Sequence, residues 1–172
     1  MQMLIQQKQL TGNRGKFCDL MDLYERNYIA LRRLMPDIGD LGTSAVSTIP
    51  GCLDLHYRLI ERTRYTTTFI LTYHLDQNSR AVSEPNLEVR LYHDAQLAEV
   101  LSAMLHRHHY KNDAVVTVDQ LITPEQSVLQ SKWMLNRFLY KWVNFCLKRG
   151  HVFRPGSGWE SFLHPLRERH GR

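Results

Sequence analysis

The stretch Leu53-Asp54-Leu55-His56-Tyr57-Arg58-Leu59-Ile60-Glu61-Arg62-Thr63-Arg64-Tyr65-Thr66-Thr67-Thr68-Phe69-Ile70-Leu71-Thr72-Tyr73-His74-Leu75 decides the fold class. In its first half Leu53, Leu55, Tyr57 and Leu59 alternate with Asp54, His56 and Arg58. In its second half Tyr65, Thr67, Phe69, Leu71, Tyr73 and Leu75 share one face. Period-two alternation rich in β-branched and aromatic residues is the pattern of strands half-buried against a core. The short join at Thr63-Arg64 predicts an antiparallel hairpin of strands over 53–62 and 65–75. A polar loop, Asp76–Pro85, follows. Leu87, Val89 and Leu91 then alternate with Glu88, Arg90 and Tyr92, which predicts a third strand over 87–93.

Residues 95–105 carry two readings. Leu97, Ala98, Leu101, Met104 and Leu105 fit helical spacing, Asp94 can cap, and Ala, Gln, Glu and Leu dominate, so composition predicts a helix. A fourth strand paired back on the third is the competing reading. Ala114–Val118 reads as another short strand.

Helices flank this β region. From Lys16 to Met35, Phe17, Leu20, Met21, Tyr24, Tyr28, Leu31 and Leu34 form an apolar stripe, and Pro36 supplies the stop. Residues 1–15 show no sustained period and read as a flexible leader. Gly39, Gly42, Pro50 and Gly51 mark 38–51 as a loop. Thr123-Pro124-Glu125-Gln126 is a capping box with Pro at the first helical position, and Gly150 is a C-terminal stop. The helix between them would be roughly 40 Å long. Its row of Leu135, Leu139, Trp142 and Cys146, widened by Phe138, Val143 and Phe145, calls for burial against the sheet or a second subunit, which makes a homodimer through this helix one expectation. The chain thus reads as a leader (1–15), one α+β domain (16–150) and a basic, partly apolar tail (151–172). The domain is a small antiparallel sheet with the first and last helices packed on one face. Leu20, Tyr24, Leu31, Leu55, Leu59, Phe69, Leu71, Val89, Leu91, Leu135, Leu139 and Trp142 are the expected core.

At 172 residues, 43% hydrophobic and 23% charged, the chain can bury a core without disulfides or metals. Cys18, Cys52 and Cys146 form no close pair, which fits a reducing compartment and a cytoplasmic location. The N-terminus lacks the apolar segment of an export signal, and no apolar run is long enough to span a bilayer. No membrane partner is expected. The net charge of +5 is concentrated at the end: residues 148–172 hold 6 Lys/Arg against 2 Asp/Glu, while residues 1–147 hold 16 against 15. Nucleic-acid binding is therefore a reading of the tail alone.

The densest polar cluster is Tyr57-Arg58 with Arg62-Thr63-Arg64-Tyr65-Thr66-Thr67-Thr68. Forked Arg donors with Tyr and Thr hydroxyls suit an anion; the same residues also make an ordinary solvated strand face. Arg90-Leu91-Tyr92-His93-Asp94 ends a strand with a His beside an Asp, a pairing that suits a tuned base, although consecutive strand residues point to opposite faces. Asp94 is equally a turn or cap residue. His106-Arg107-His108-His109 has imidazoles but no partner at a recognised ligand spacing, so no metal or other cofactor is expected. Walker A, dinucleotide-fold and Gly-x-Ser-x-Gly patterns are absent.

Tyr57-Arg58-Leu59, Glu61, Thr63-Arg64-Tyr65-Thr66-Thr67 and Val89-Arg90-Leu91-Tyr92-His93-Asp94-Ala95 with Ala98-Glu99-Val100 resemble the YqiB-like proteins. These are small bacterial cytoplasmic proteins built around a domain of unknown function. Arg33-Leu34-Met35-Pro36 and the closing Phe138-Leu139, Trp142, Cys146-Leu147 and Gly150 fit as well. The resemblance covers roughly 16–150. It implies a bacterial protein and this fold class, but neither activity nor cofactor. Where family members usually carry Tyr-Pro-Asn, this chain has Tyr110-Lys111-Asn112, followed by the more apolar Ala114–Ile122.

The first expectation is a non-enzymatic binding or regulatory module. Its candidate site is Arg58, Arg64, Tyr65, Thr67, Arg90, Tyr92, His93 and Asp94, holding a small anion, a nucleotide or an acidic protein surface. Trp159 and Phe162 are candidates for docking a protein partner. The alternatives are a hydrolase using His93 with Asp94 or Glu99, and nucleic-acid binding through the tail.

Overall fold

The computed structural model describes residues 2–77, 80–83, 85–104 and 128–156. The chain is α+β. Its elements are α1 (Gln2–Leu34), β1 (Ser44–Ser47), β2 (Leu55–Arg62), β3 (Thr66–Gln77), β4 (Arg80–Ser83), β5 (Asn86–Tyr92), β6 (Leu97–Met104) and α2 (Val128–Arg149). Among the described residues the strands lie in the order β1-β2-β3-β5-β6, every pairing is antiparallel, and β4 pairs with the far end of β3.

Leu20, Tyr24, Leu31 and Leu34 of α1 are all buried at helical spacing. The helix ends where expected: Met35 N–H donates to Leu31 O at 2.8 Å, and Pro36 prevents a further turn. Its start differs from the expected Lys16. The helix begins at Gln2, so the leader reading of 1–15 is corrected. Met, Leu, Gln and Lys dominate Gln2–Leu10 and are good helix formers. The backbone continues through Gly12 and Gly15 despite their cost of about 1 kcal/mol each.

The segment read as a loop over 38–51 contains β1. It was hidden because it is four residues long and its inward positions are Ala45 and Ser47, too small to mark a buried face. Just before it, Ile38 and Leu41 enter the core, and Arg62 holds the turn by donating to Ile38 O, Gly39 O and Leu41 O at 2.8, 2.9 and 3.0 Å. β4 likewise occupies part of the stretch expected as the Asp76–Pro85 loop. Its pairing with β3 makes it a strand despite polar composition.

The larger correction concerns 95–105, which is strand β6 and not helix. Ala98, Val100 and Ala103 are buried, at spacings of two and then three. The pairing jumps from Glu88↔Ser102 to Val89↔Val100, so Leu101 is an extra residue in a bulge. That extra residue breaks the period-two pattern and imitates helical spacing. The Ala114–Val118 strand, the His106–His109 cluster and the Thr123–Gln126 capping box lie outside the described residues, as do Trp159, Phe162 and the rest of the tail beyond Gly156.

One sheet face carries Leu55, Tyr57, Phe69, Leu71, Leu87, Val89 and Leu91, packed in one core with Leu31 and Leu34 of α1 and Leu135, Leu139, Val143 and Cys146 of α2. Each large side chain buried there contributes about 1.5–3 kcal/mol. Of the expected core only Leu59 is half-buried, beside the register shift between Leu59 and Glu61. Trp142 is buried within the chain, whereas Phe138 and Phe145 stay 40% and 48% exposed.

Gly150 (φ 97°) ends α2: His151 N–H donates to Cys146 O and Gly150 N–H to Leu147 O, a Schellman arrangement that favours glycine. Packing continues past the expected boundary at Gly150. His151 is buried, and its Nδ1 donates to Ser47 O and lies 3.1 Å from Ser47 Oγ. Phe153 is buried against Tyr57, and its N–H donates to Leu34 O at 2.8 Å.

Candidate functional site

The strand register sorts the candidate residues onto separate surfaces. On β2 the buried Leu55 and Tyr57 alternate with His56 and Arg58, so Arg58 stands on the face away from the core and is exposed. The same alternation on β5 places Arg90 and Tyr92 on that outer face. Pairing then aligns Glu61, Thr68, Arg90 and Glu99 in one row across four strands.

Arg90 is the anchored member of this row. Its Nε donates to Thr68 Oγ1 at 2.9 Å, and its Nη2 lies 4.0 Å from Glu61 Oε2. Thr68 is buried, so the acceptor that aims the guanidinium is fixed. Arg58 pairs in register with Ile70, which in turn pairs with Glu88. Arg58 and Arg90 therefore flank β3 diagonally.

At the β6 edge the row meets the helices. The Glu99 carboxylate accepts from Tyr92 OH at 2.7 Å, from Lys132 Nζ at 3.2 Å and from Tyr24 OH at 3.3 Å. Burial opposes ionisation of Glu99, but the bonds from Tyr92 and Lys132, the Lys132 charge and the Tyr24 bond outweigh it and hold the carboxyl below its ordinary range. Tyr24 and Tyr92 are pushed up by burial and by the Glu99 carboxylate they bond. Nearby, Asn136 Oδ1 accepts from Val100 N–H at 3.0 Å and from Asn27 Nδ2 at 3.3 Å, which occupies a backbone donor on β6.

His93 and Thr67 stand on the opposite, helix-facing side. Thr67 Oγ1 lies 2.8 Å from His93 Nε2, and the His93 ring meets Tyr28 edge-on with centroids 6.4 Å apart. Burial first, then the charges of Arg32 and Arg62, lower the His93 pKa, with weaker opposition from Asp94. Asp94 is exposed in the turn between β5 and β6. At the β2–β3 turn the Arg64 guanidinium sits 5.1 Å from the Tyr65 ring centroid, and both side chains are exposed.

The structure thus brings together Arg90 and Tyr92, with Arg58 diagonally across one strand. It places Thr67 with His93 on the other face and leaves Arg64, Tyr65 and Asp94 at turns. Glu99 bonds Tyr92, Lys132 and Tyr24, whereas His93 lies against Thr67 and feels the Asp94 charge, which partly offsets the lowering of its pKa. Thr68, Tyr24, Lys132, Asn27 and Asn136 were not anticipated. Thr68 was quoted within the polar cluster, but its role depends on register; the others depend on β6 being a strand. Among the described residues no group of three His, Cys, Asp or Glu could hold a metal ion, and no helix is long and apolar enough to cross a membrane.

A family profile described as a protein of unknown function (DUF1249) matches residues 30–152. The uncharacterized protein YqiB of Escherichia coli strain K12 is 32% identical over 147 residues, covering 81% of this chain and 94% of the relative. The YqiB proteins of the O6:H1 and O157:H7 strains match to the same extent. No solved structure matches the chain. With both the profile and near-full-length relatives in agreement, the chain belongs to the YqiB-like DUF1249 family.

Proposed function

We propose that this protein is a non-enzymatic binding module that recognises an anionic group on the outer face of its sheet, at Arg58 and Arg90. The observation that carries the reading is the anchoring of Arg90. One edge of its guanidinium is fixed by a buried threonine, while its nearest carboxylate stands at the outer limit of an ion pair. A fork so oriented has little freedom to lose when it grips a phosphate or carboxylate bidentately. Arg58 adds a second cation two strands away.

The test is a thermal-shift and calorimetric titration with inorganic phosphate, pyrophosphate and ATP. At least one should raise the melting temperature of the parent. Arg90→Ala should weaken its binding by about tenfold or more, because a charge-assisted bond contributes about 1.5–3 kcal/mol. Thr68→Val, which keeps the shape and removes the acceptor, should weaken it less. Equal affinity in parent and Arg90→Ala, or no response to any of the three anions, counts against the site.

A further inference from the structure

On the other side of the molecule a groove of about 330 Å³ runs between the helices. It is lined by Asp19, Asp22, Leu23 and Arg26 of α1 and by Trp133, Arg137 and Tyr140 of α2. Its size is at the low end of cavities that hold small ligands, which run from about 300 Å³ upward. The α1 residues follow helical spacing, as do Trp133, Arg137 and Tyr140, so each helix presents one flank to the groove.

The charges in this groove are arranged by position. Along α1 the two carboxylates come first and Arg26 follows, with an axial rise of about 6 Å from Asp22 and about 10 Å from Asp19. Asp22 and Arg26 have the spacing that usually permits a helical ion pair. The ion pairs found among the described residues are Arg90–Glu61 and Lys132–Glu99, and none joins the four charged residues of the groove. Arg137 instead lies with its guanidinium carbon 5.0 Å from the Trp133 ring centroid, over the indole. The groove therefore offers a carboxylate end, a guanidinium end and an aromatic wall. Each is complementary to one part of a molecule with an ammonium, a carboxylate a few Å away, and an apolar body.

We propose that the α1–α2 groove binds a small zwitterion of the amino-acid class. Its ammonium faces Asp19 and Asp22, its carboxylate faces Arg26 and Arg137, and its side chain lies on Trp133 and Tyr140. Two charge-assisted bonds of about 2.8 Å with such a molecule between them cover a length comparable to the backbone rise from Asp19 and Asp22 to Arg26. Neither charge alone would account for the site, because an anion would face Asp19 and Asp22, and a cation would face Arg26 and Arg137. This site is independent of the sheet-face reading, from which it differs in every residue.

The experiment is an NMR titration of the 15N-labelled full chain with each of the twenty amino acids at roughly 10 mM, a concentration that reveals even weak binding. The Trp133 indole N–H signal, assigned with Trp133→Phe, should shift with at least one of them. For the strongest binder, the amide derivative lacks the carboxylate and the N-acetyl derivative lacks the ammonium. Both should bind about tenfold more weakly or worse. Arg26→Gln should weaken the amino acid but not its amide, and Asp22→Asn should weaken the amino acid but not its N-acetyl derivative. The anion titrations of the sheet face should be unchanged in both variants. No shift with any of the twenty, or an amide or N-acetyl derivative that binds as tightly as the amino acid itself, overturns the proposal, and the derivative comparison needs no variant to fold.

Discussion

At the residue scale, Gln96 shows how one position closes a hairpin at a local cost. It lies in the turn from His93 to Gln96 between β5 and β6, with φ of 56°. That left-handed conformation costs a residue with a Cβ about 1–2 kcal/mol, and glycine adopts it freely. Gln96→Gly should therefore stabilise the fold, by about 0.5–1 kcal/mol after the added flexibility of the unfolded chain is counted. Urea unfolding checks this, and a loss of stability would mean that the Gln96 side chain contributes more than its backbone strain costs. The adjacent His93 and Asp94 illustrate what is legible at this scale. Strand alternation would set them on opposite faces; both instead lie in the turn after β5, where His93 meets Thr67 and Asp94 is exposed. Which threonine His93 would meet was not legible, because it depends on the pairing of β3 with β5.

At the element scale, β6 is the last strand of the sheet among the described residues, and its Val100 N–H meets a helix side chain. Val100 N–H donates to Asn136 Oδ1, and Asn136 also accepts from Asn27. Asn136→Ala leaves the buried Val100 amide without its acceptor, while Asn27 Nδ2 keeps its bond to the Asn136 backbone carbonyl, at a cost of about 1–3 kcal/mol. Hydrogen exchange should report it directly: the Val100 amide should lose protection more than amides of the central strand β3. Uniform loss across the sheet would instead indicate global destabilisation. β6 is also where sequence reasoning failed. Strands with one bulge-free face, such as β5 with buried Leu87, Val89 and Leu91, were legible because burial alternates without interruption. β6 was not, because Leu101 interrupts the alternation, and β1 was not, because its inward residues are small. The site followed the same division. The outward stand of Arg58, Arg90 and Tyr92 was written in the alternation of β2 and β5. The Glu99 hub and the helix groove depend on how α1 and α2 lie against each other and the sheet edge, which no local pattern encodes.

At the scale of the whole molecule, buried titratable groups set the response to acid. Burial, opposed by the bond to Ser47 O, lowers the pKa of His151; burial and then the His74 charge lower that of His56; His93 is lowered as described. The unfolded chain thus binds more protons than the native one as pH falls through the ordinary histidine range, so stability declines below about pH 6.5. Glu99 adds a second decline. Its depressed carboxyl contributes stability that is present above its ordinary value of 4.5 and is lost as pH falls through its native value. Chemical unfolding from pH 8 to pH 4 should show a plateau above neutrality and then a downward slope, shallower in His151→Gln. A stability independent of pH over this range would contradict the environments assigned to these side chains.

The bond from Phe153 N–H to Leu34 O joins positions 119 residues apart in the chain. A ribosome adding about 5–20 residues each second finishes α1 roughly 6–24 s before Phe153 is made. Through that interval the end of the first helix has no closing strap, and Leu31 and Leu34 must wait for strands and a second helix still to be synthesised. The newborn chain is therefore exposed to wrong partners at its oldest segment, and the strap that closes that segment arrives only as Phe153 emerges.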